Sequence, residues 1–218
     1  MSSVNPDSEK AEKYPLRSQK ARQTRLAVIT AAIELFSAHG YAGTTIEAIA
    51  ARAGVARPTV FTAVPGGKPQ LLKEARDVAI AGDDEPVPIP ERPWMRHAMA
   101  QTDPRELIRL QAGNYLRVNT RLAPIDRALK AAADPALAEL QDVAPKQRYF
   151  GALMTARRLA ELDGLRAGLT PEDAADVIYG LNEPELYLTL VRERGWTGER
   201  YAAFLADQLT YALLPPMV

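Results

Sequence analysis

The feature that most constrains this chain is the spacing of its apolar residues, which return every three or four positions along much of the sequence. The first such stripe consists of Leu26, Ile29, Ile33 and Phe36. This spacing places apolar side chains on one face of an α-helix, whereas a half-buried strand needs alternation with a period of two. No segment alternates over the length of a strand, so the sequence predicts an all-α fold.

Glycines and prolines mark where the predicted helices begin and end. Proline fits the first turn of a helix, and glycine fits the residue after its last turn, as Gly40 does after the first stripe. Four prolines among residues 82–93 exclude a regular helix there. Helices are predicted over residues 19–39, 45–53, 57–63, 68–81, 94–101, 104–121, 124–132, 135–162, 171–181, 184–193 and 198–214.

These boundaries predict two domains. Residues 1–18 read as a flexible basic arm, and residues 19–82 as a small N-terminal helical domain. A proline-rich connector over residues 83–93 leads to a larger helical domain over residues 94–218.

Composition places the chain among soluble proteins. It has no cysteine, which excludes disulfides and thiolate metal sites. Its first 25 residues lack the apolar run of a signal peptide. No apolar stretch approaches the roughly 20 residues needed to cross a bilayer. A cytoplasmic protein is the expectation.

The net charge of zero hides an uneven distribution. Residues 13–76 carry ten basic and three acidic side chains, whereas residues 83–218 carry 16 basic and 20 acidic ones. A basic segment on a weakly acidic body is typical of a part that binds a polyanion, although a solvated helix surface gives the same count.

Two short helices that meet at Gly54 satisfy the requirements of a helix-turn-helix. This unit needs a small residue where the helices cross, a glycine at the turn and apolar residues at fixed offsets. With Gly54 at the turn, Ala50 is the small residue, and the apolar offsets hold Ile49, Ala53, Val55, Val60 and Ala63. The agreement predicts a helix-turn-helix, with a generic helical hairpin as the alternative.

The segment RLAVITAAIELFSAHGYAGTTIEAIAARAGVARPTVF, followed by a lysine that opens the next helix, resembles the N-terminal domain of the TetR (tetracycline repressor) family of transcriptional regulators. The resemblance covers residues 22 to about 75, and the rest of the chain is similar only in being helical. It implies an N-terminal helix-turn-helix three-helix domain that binds double-stranded DNA. This domain would be joined to a larger helical domain for ligand binding and dimerisation.

The resemblance also implies roles for individual residues. Residues 57–63 would form the recognition helix, which enters the major groove by its N-terminal end. Arg57 and Thr59 would face base edges, because arginine suits guanine and threonine offers a hydroxyl or a methyl group. Pro58 fits the first helical turn, where no backbone N–H is needed. Contacts to the DNA backbone would fall to Phe61, Thr62, either Thr44 or Thr45, and Lys68.

Three departures from the family pattern bear on these contacts. Phe61 stands where a tyrosine usually offers its hydroxyl to a phosphate. Ala56 replaces the serine that often caps the recognition helix, and a lost cap lowers stability by about 0.5–2 kcal/mol. The loop PGGK at residues 65–68 is one residue longer than usual, which leaves the placement of Lys68 open.

The Gly-Gly-Lys run of this loop does not fit a nucleotide-binding P-loop. That motif needs a glycine five residues before the second one and a serine or threonine after the lysine, and here Pro69 follows Lys68. All serines lie in the arm and the first helix, and His39 and His97 form no cluster with other metal ligands. The sequence therefore predicts no enzyme, no cofactor and no metal site.

The larger domain is expected to dimerise and to hold an effector. Broad apolar stripes over residues 171–191 and 198–214 are typical of helices that pack against a core and a partner helix, with a monomer's core as the alternative. Arg117 and Arg121 share a helix face and suit either an acidic ligand or solvent. The candidate ligand residues are large side chains with some polar heads: Trp94, Met99, Asn114, Arg117, Tyr149, Met154, Tyr179 and Tyr187.

These observations predict a homodimeric, sequence-specific transcriptional regulator that binds a palindromic operator. It would be a repressor released by a small-molecule effector. The alternative hypothesis is a small-molecule-binding helical protein with a weakened or non-specific DNA-binding domain, which Phe61 and Ala56 favour.

Overall fold

A computed structural model describes residues 6–216, with side chains from Gln19 onward. It confirms the all-α prediction, since that range contains helices and no strand. None of these helices has both the length and the apolar character of a membrane span. The α-helices are α1 (Pro6–His39), α2 (Ile46–Ala53), α3 (Arg57–Ala63), α4 (Gly67–Ala81), α5 (Pro93–Met99), α6 (Pro104–Lys130), α7 (Ala138–Glu161), α8 (Pro171–Leu181), α9 (Pro184–Tyr187) and α10 (Gly198–Leu213).

Shorter helical turns complete the chain. Two 3₁₀ turns, Ile89–Glu91 and Pro135–Leu137, precede α5 and α7. A π-helix over Leu188–Glu193 continues α9, and the N–H of Arg194 reaches back five residues to the carbonyl of Thr189 at 2.9 Å. The single predicted helix over residues 184–193 is therefore an α-turn followed by a π-helix.

Two compact units divide the chain between Ala75 and Arg76. This division falls inside α4, before the proline-rich connector at which composition predicted it. The reason is the guanidinium of Arg76, which is 2% exposed within the second unit. It donates to Asp126 at 2.9 Å, to Gln147 at 2.7 Å and to the carbonyl of Ala144 at 3.4 Å.

The first unit is a small helical core in which α1 packs on α2 and α3. Tyr41, in the turn after α1, stacks on Phe36 with ring centroids 5.9 Å apart. Gly40 has a φ of 68° and ends α1 as predicted. The core is formed by buried apolar side chains: Val28, Ile29, Ala32, Phe36, Ile49, Val60, Val64, Leu71 and Leu72.

The predicted flexible arm of residues 1–18 needs correction. Residues 1–5 lie outside the described residues, but α1 begins at Pro6 and therefore includes residues 6–18. Proline suits a first helical turn, and the glutamates, lysines and alanine that follow have high helix propensity. The apolar stripe begins only at Leu26, so periodicity alone placed the start of the helix too late.

A second correction concerns the helices predicted over residues 104–121 and 124–132, which form the single helix α6. Pro124 lies inside it, where proline removes a backbone hydrogen bond and costs about 3 kcal/mol. Burial on both sides of the proline offsets this loss, because Leu122, Ala123 and Ile125 are each at most 4% exposed.

The second unit contains two apolar clusters. One joins α6, α7, α8 and α10 around residues such as Leu107, Ile108 and Leu159. The other joins α6, α9 and α10, where Tyr187 packs edge-on against Tyr201 at 5.4 Å. Within the apolar stripes predicted over residues 171–191 and 198–214, Ala174, Ile178, Leu205 and Leu209 are buried in this unit.

Candidate nucleic-acid interface and ligand cleft

The turn between α2 and α3 is closed by backbone hydrogen bonds around Gly54. Gly54 has a φ of 67°, in the left-handed region that favours glycine. Its N–H donates to the carbonyl of Ala51 at 3.2 Å, and the N–H of Val55 donates to Ala50 at 3.0 Å. These two bonds form a Schellman motif, which ends α2 and turns the chain into α3. The helix-turn-helix thus follows from local sequence.

Helix α3 presents most of its predicted DNA-contacting residues on one exposed side. Arg57, Pro58, Phe61 and Thr62 are exposed, Thr59 is half-buried, and Val60 points into the core with no exposed surface. The helix has the bounds predicted from its proline and its flanking residues. Ala56 gives it no side-chain cap, also as predicted.

Arg57 is held by two groups of its own domain. Its Nε lies 2.6 Å from Oε1 of Glu47, in the first turn of α2, and its guanidinium lies 5.6 Å from the centroid of the Phe61 ring. Both partners of this ion pair are more than 60% exposed, so the pair is weak. Glu47 could not be predicted from the sequence, because its proximity to Arg57 depends on how α2 packs on α3.

Of the two threonines proposed at the start of α2, the structure favours Thr45. Thr45 caps the helix by accepting the N–H of Ala48 at 3.1 Å, and its side chain is exposed. Thr44 is 1% exposed and donates its hydroxyl hydrogen to the carbonyl of Gly40 at 2.8 Å. Thr44 is therefore removed from the candidate DNA contacts.

Lys68 has a structural role that the sequence analysis missed. Its ammonium donates to the carbonyls of Tyr41 at 3.1 Å and Thr44 at 3.2 Å. It also lies 4.1 Å from the centroid of the Tyr41 ring, a cation–π distance. The long loop before it turns at Gly66 and Gly67, whose φ values of 108° and 69° explain the two glycines. These two hydrogen bonds use two of the three N–H groups of the Lys68 ammonium.

Internal ion pairs reduce the positive surface of the first unit. All three acidic residues between positions 13 and 76 pair with arginines: Glu34 with Arg52, Glu47 with Arg57, and Glu74 with Arg25. Arg76 is buried in the second unit. The count of ten basic residues in the sequence therefore overstates the positive charge available to a polyanion.

A cleft of about 400 Å³ lies within the second unit, between the end of α4, the connector, α5 and α6. Three of the predicted ligand residues line it, namely Trp94, Asn114 and Arg117. Its volume lies within the usual range for small-molecule sites. Asp83 and Arg92, which were not among the predicted ligand residues, also line this cleft.

The other predicted ligand residues lie outside this cleft. Tyr187 is 2% exposed and is a core residue. Tyr149 and Tyr179 pack edge-on at 5.9 Å, and the guanidinium of Arg148 lies 3.6 Å from the Tyr179 ring centroid. Met99 packs against the larger apolar cluster, and Met154 is half-buried on α7. The cleft therefore contains three of the eight predicted ligand residues, and the other five lie elsewhere in the second unit.

The proline-rich connector is folded around one guanidinium. Arg92 is 5% exposed and donates to both carboxylate oxygens of Asp83 at 2.6 Å. It also donates to the carbonyls of Val87 at 3.0 Å and Glu85 at 2.7 Å. The connector is therefore an ordered loop that forms one wall of the cleft.

An N-terminal helix-turn-helix followed by a larger helical unit defines a class, the helix-turn-helix transcriptional regulators. Residues 28–75 match a family model described as bacterial regulatory proteins, tetR family. This part of the chain is therefore similar to the DNA-binding domain of the TetR family. No curated protein sequence matches it.

Several solved structures share the fold. NalD of Pseudomonas aeruginosa, described as the secondary repressor of the MexAB-OprM multidrug efflux pump, is 23% identical, with 89% of this chain and 98% of that chain covered and a TM-score of 0.68. SmeT of Stenotrophomonas maltophilia, in a triclosan complex, is 22% identical, with coverage of 88% and 92% and a TM-score of 0.64. A putative transcriptional regulator from Saccharomonospora viridis, in complex with choline, is 19% identical, with coverage of 88% and 98% and a TM-score of 0.65.

Proposed function

We propose that the protein is a homodimeric, sequence-specific DNA-binding transcriptional regulator, a repressor that a small-molecule effector releases from DNA. The observation that carries the proposal is the closed helix-turn-helix, whose second helix leaves Arg57, Phe61 and Thr62 on an exposed side. The protein shares its fold with NalD and SmeT, both described as repressors of efflux pumps, and this supports repression over activation. Such a protein acts in the cytoplasm, where bacterial DNA lies.

In the proposed complex, α3 enters the major groove by its N-terminal end. Arg57 leaves Glu47 and donates to a base edge, with guanine as its best partner. Thr59 lies beside it. Thr45 places the start of α2 against a phosphate, because its oxygen accepts from Ala48 while its own hydrogen stays free to donate. Phe61 and Thr62 pack near the sugar–phosphate backbone, and Lys68 offers its remaining N–H there.

The proposed dimer packs α8 and α10 of one copy against the same helices of the other. Tyr211 supports this choice, since it is 84% exposed on α10 although it is a large aromatic side chain. A two-fold axis presents two α3 helices to half-sites about 34–36 Å apart, which corresponds to a palindromic operator.

The effector is proposed to bind in the second unit and to favour a conformation that no longer matches DNA. A coupling free energy of about 1–3 kcal/mol between the two sites would change operator affinity by roughly 5–150-fold. The triclosan and choline complexes of proteins with this fold support a small-molecule effector.

Selection of bound sequences from a random DNA pool tests the proposal. We expect an enriched palindrome with half-sites one helical turn apart. The Arg57→Ala variant should lose about 1–3 kcal/mol of binding free energy and relax the preference at one base position in each half-site. Arg109→Ala, an exposed change on α6, should bind like the wild type. An unenriched pool would sink the proposal.

A second candidate function is ligand binding without specific DNA recognition. It is favoured by the uncapped start of α3 and by the internal partners of Arg57 and Lys68. This candidate predicts that the protein binds random DNA weakly and selects no consensus. The same selection experiment therefore separates the two.

A further inference from the structure

Both apolar and cationic residues line the cleft of the second unit. The apolar ones are Ala81, Pro93, Trp94 and Val118. The charged residues that line the cleft are three arginines and one aspartate, which leaves two positive charges in excess. Asp83 is already bound through both carboxylate oxygens to Arg92. The excess charge therefore belongs to Arg117 and Arg121.

Arg121 is oriented but has unused donors. Its Nε donates to the carbonyl of Ala79 at 2.8 Å, and its terminal nitrogens have no hydrogen-bond partner among the described residues. One of them lies 3.3 Å from the position that a Cβ on Gly82 would occupy. Burial lowers the pKa of Arg121, and the charge of Arg117 adds to this effect. A bound anion would offset this unfavourable burial of charge.

A series of buried hydrogen bonds holds Arg117 in place. It donates to Oδ1 of Asn114, whose amide donates to Gln111 at 2.7 Å. Gln111 in turn donates to the hydroxyl of Thr155 on α7, also at 2.7 Å. Gln111, Asn114 and Thr155 are each at most 3% exposed. These hydrogen bonds hold the Arg117 guanidinium at the cleft before any ligand binds, which lowers the entropic cost of binding.

We infer that the cleft binds a small aromatic carboxylate, with its carboxylate between Arg117 and Arg121 and its ring against Trp94 and Val118. Guanidinium groups donate to a carboxylate in charge-assisted hydrogen bonds, which are stronger than neutral ones. The indole and the neighbouring apolar side chains would cover the ring. The inference rests on the proposed function in one respect, because it names the class of effector at the site that regulates DNA binding.

Calorimetric titration of the full chain with 2-naphthoate and with its uncharged isostere 2-naphthamide tests the inference. We expect naphthoate to bind about tenfold or more tightly than the amide, because only the carboxylate engages both arginines. Inorganic phosphate, which has no ring, should not compete at equal concentration. Failure of naphthoate to bind at millimolar concentration, equal affinity for the amide, or equal competition by phosphate would overturn the inference.

Variants then assign the binding to these residues. Arg121→Gln should weaken naphthoate binding about tenfold or more and abolish the preference over the amide. Arg121→Lys keeps the charge and should keep part of that preference, which guards against a merely structural defect. Arg109→Gln, on the exposed side of α6, is the matched control. Full affinity in Arg121→Gln would overturn the inference. No DNA is present, so this result is independent of the DNA selection.

Discussion

At the scale of single residues, Lys68 shows that a side chain predicted to contact a ligand can also stabilise the fold. Two of its N–H groups satisfy carbonyls in the segment between α1 and α2, and its charge lies over the Tyr41 ring. From its position at the start of α4, the sequence predicted only a phosphate contact. The carbonyls it binds lie more than twenty residues earlier in the chain, so neither spacing nor composition could reveal them.

Replacing Lys68 with alanine should therefore destabilise the first unit. Loss of hydrogen bonds from a charged donor predicts a decrease of about 1–3 kcal/mol in the free energy of unfolding, measured by urea denaturation. Lys20→Ala, at an exposed position of α1, should change it by less than about 0.5 kcal/mol. Equal stability of the two variants would show that the ammonium contacts contribute nothing.

Tyr201 differs from Lys68, because its buried hydroxyl lacks a well-formed hydrogen bond. Its side chain has no exposed surface, and its hydroxyl makes only a weak contact with Asn119 that does not meet hydrogen-bond geometry. Burial raises the pKa of Tyr201 to about 12. The folded protein thus retains this proton at pH values where an unfolded tyrosine, with a pKa of about 10, has lost it.

The Tyr201→Phe variant should be at least as stable as the wild type below pH 10, by up to about 2 kcal/mol. Between about pH 10 and pH 12, titration of the Tyr201 hydroxyl should lower the free energy of unfolding of the wild type by about 1.4 kcal/mol per pH unit. The variant lacks this hydroxyl and should not show this contribution. Denaturation curves across this range measure both effects. Phe150→Tyr, which adds a phenol hydroxyl at a 59% exposed position, should show neither. A less stable Tyr201→Phe variant at neutral pH would mean that the hydroxyl is satisfied.

At the scale of elements, helix α3 was predictable and helix α6 was not. Pro58 in the first turn and Gly54 before it are local signals, and they define α3 correctly. In α6, Pro124 is an equally strong local signal, but burial of its neighbours outweighs it. That burial depends on α6 packing against other helices, which a pattern read along the chain does not contain.

The packing of α2 on α3 also sets the charge that DNA would meet. In the proposed complex Arg57 leaves Glu47 to reach a base. Glu47→Gln should therefore raise operator affinity by roughly 1.5- to 5-fold, the equivalent of an exposed ion pair. Fluorescence anisotropy with the selected operator at low salt measures this change. In the Arg57→Ala background the gain should vanish.

Glu34→Gln is the control for this prediction. It removes the same charge, but its partner Arg52 lies outside α3. An equal gain from both variants would indicate a general effect of charge and not the release of Arg57.

At the scale of the whole molecule, the surface of α10 bears on assembly. If two copies pack through α8 and α10, Tyr211→Asp should weaken dimerisation by about tenfold or more, since a large aromatic side chain would be lost from the contact. Analytical ultracentrifugation over a concentration series gives the dissociation constant. Val87→Asp, in the connector, introduces the same charge at another exposed apolar position and should leave the dimer intact. A monomeric wild type would contradict the proposal outright.

Only some of the residues that line the ligand cleft could be predicted from the sequence. Trp94, Asn114 and Arg117 were predicted on the basis of side-chain type. Asp83 and Arg92 of the connector were not predicted to line the cleft. A segment with four prolines is typical of a linker, so its charged side chains gave no sign of a binding site. Its folded form depends on one arginine that gathers a carboxylate and two carbonyls at once.

The division of the chain inside α4 has a consequence for modular exchange. A DNA-binding fragment cut at the proline-rich connector would retain Arg76 and Ala79, which the second unit buries, and would leave both without their neighbours. A hybrid that joins this N-terminal unit to a foreign body would meet the same problem, unless the body supplies a carboxylate where Asp126 stands. A hybrid protein should therefore take residues 76–81 from the same source as its second unit, although these residues continue helix α4 of the first unit.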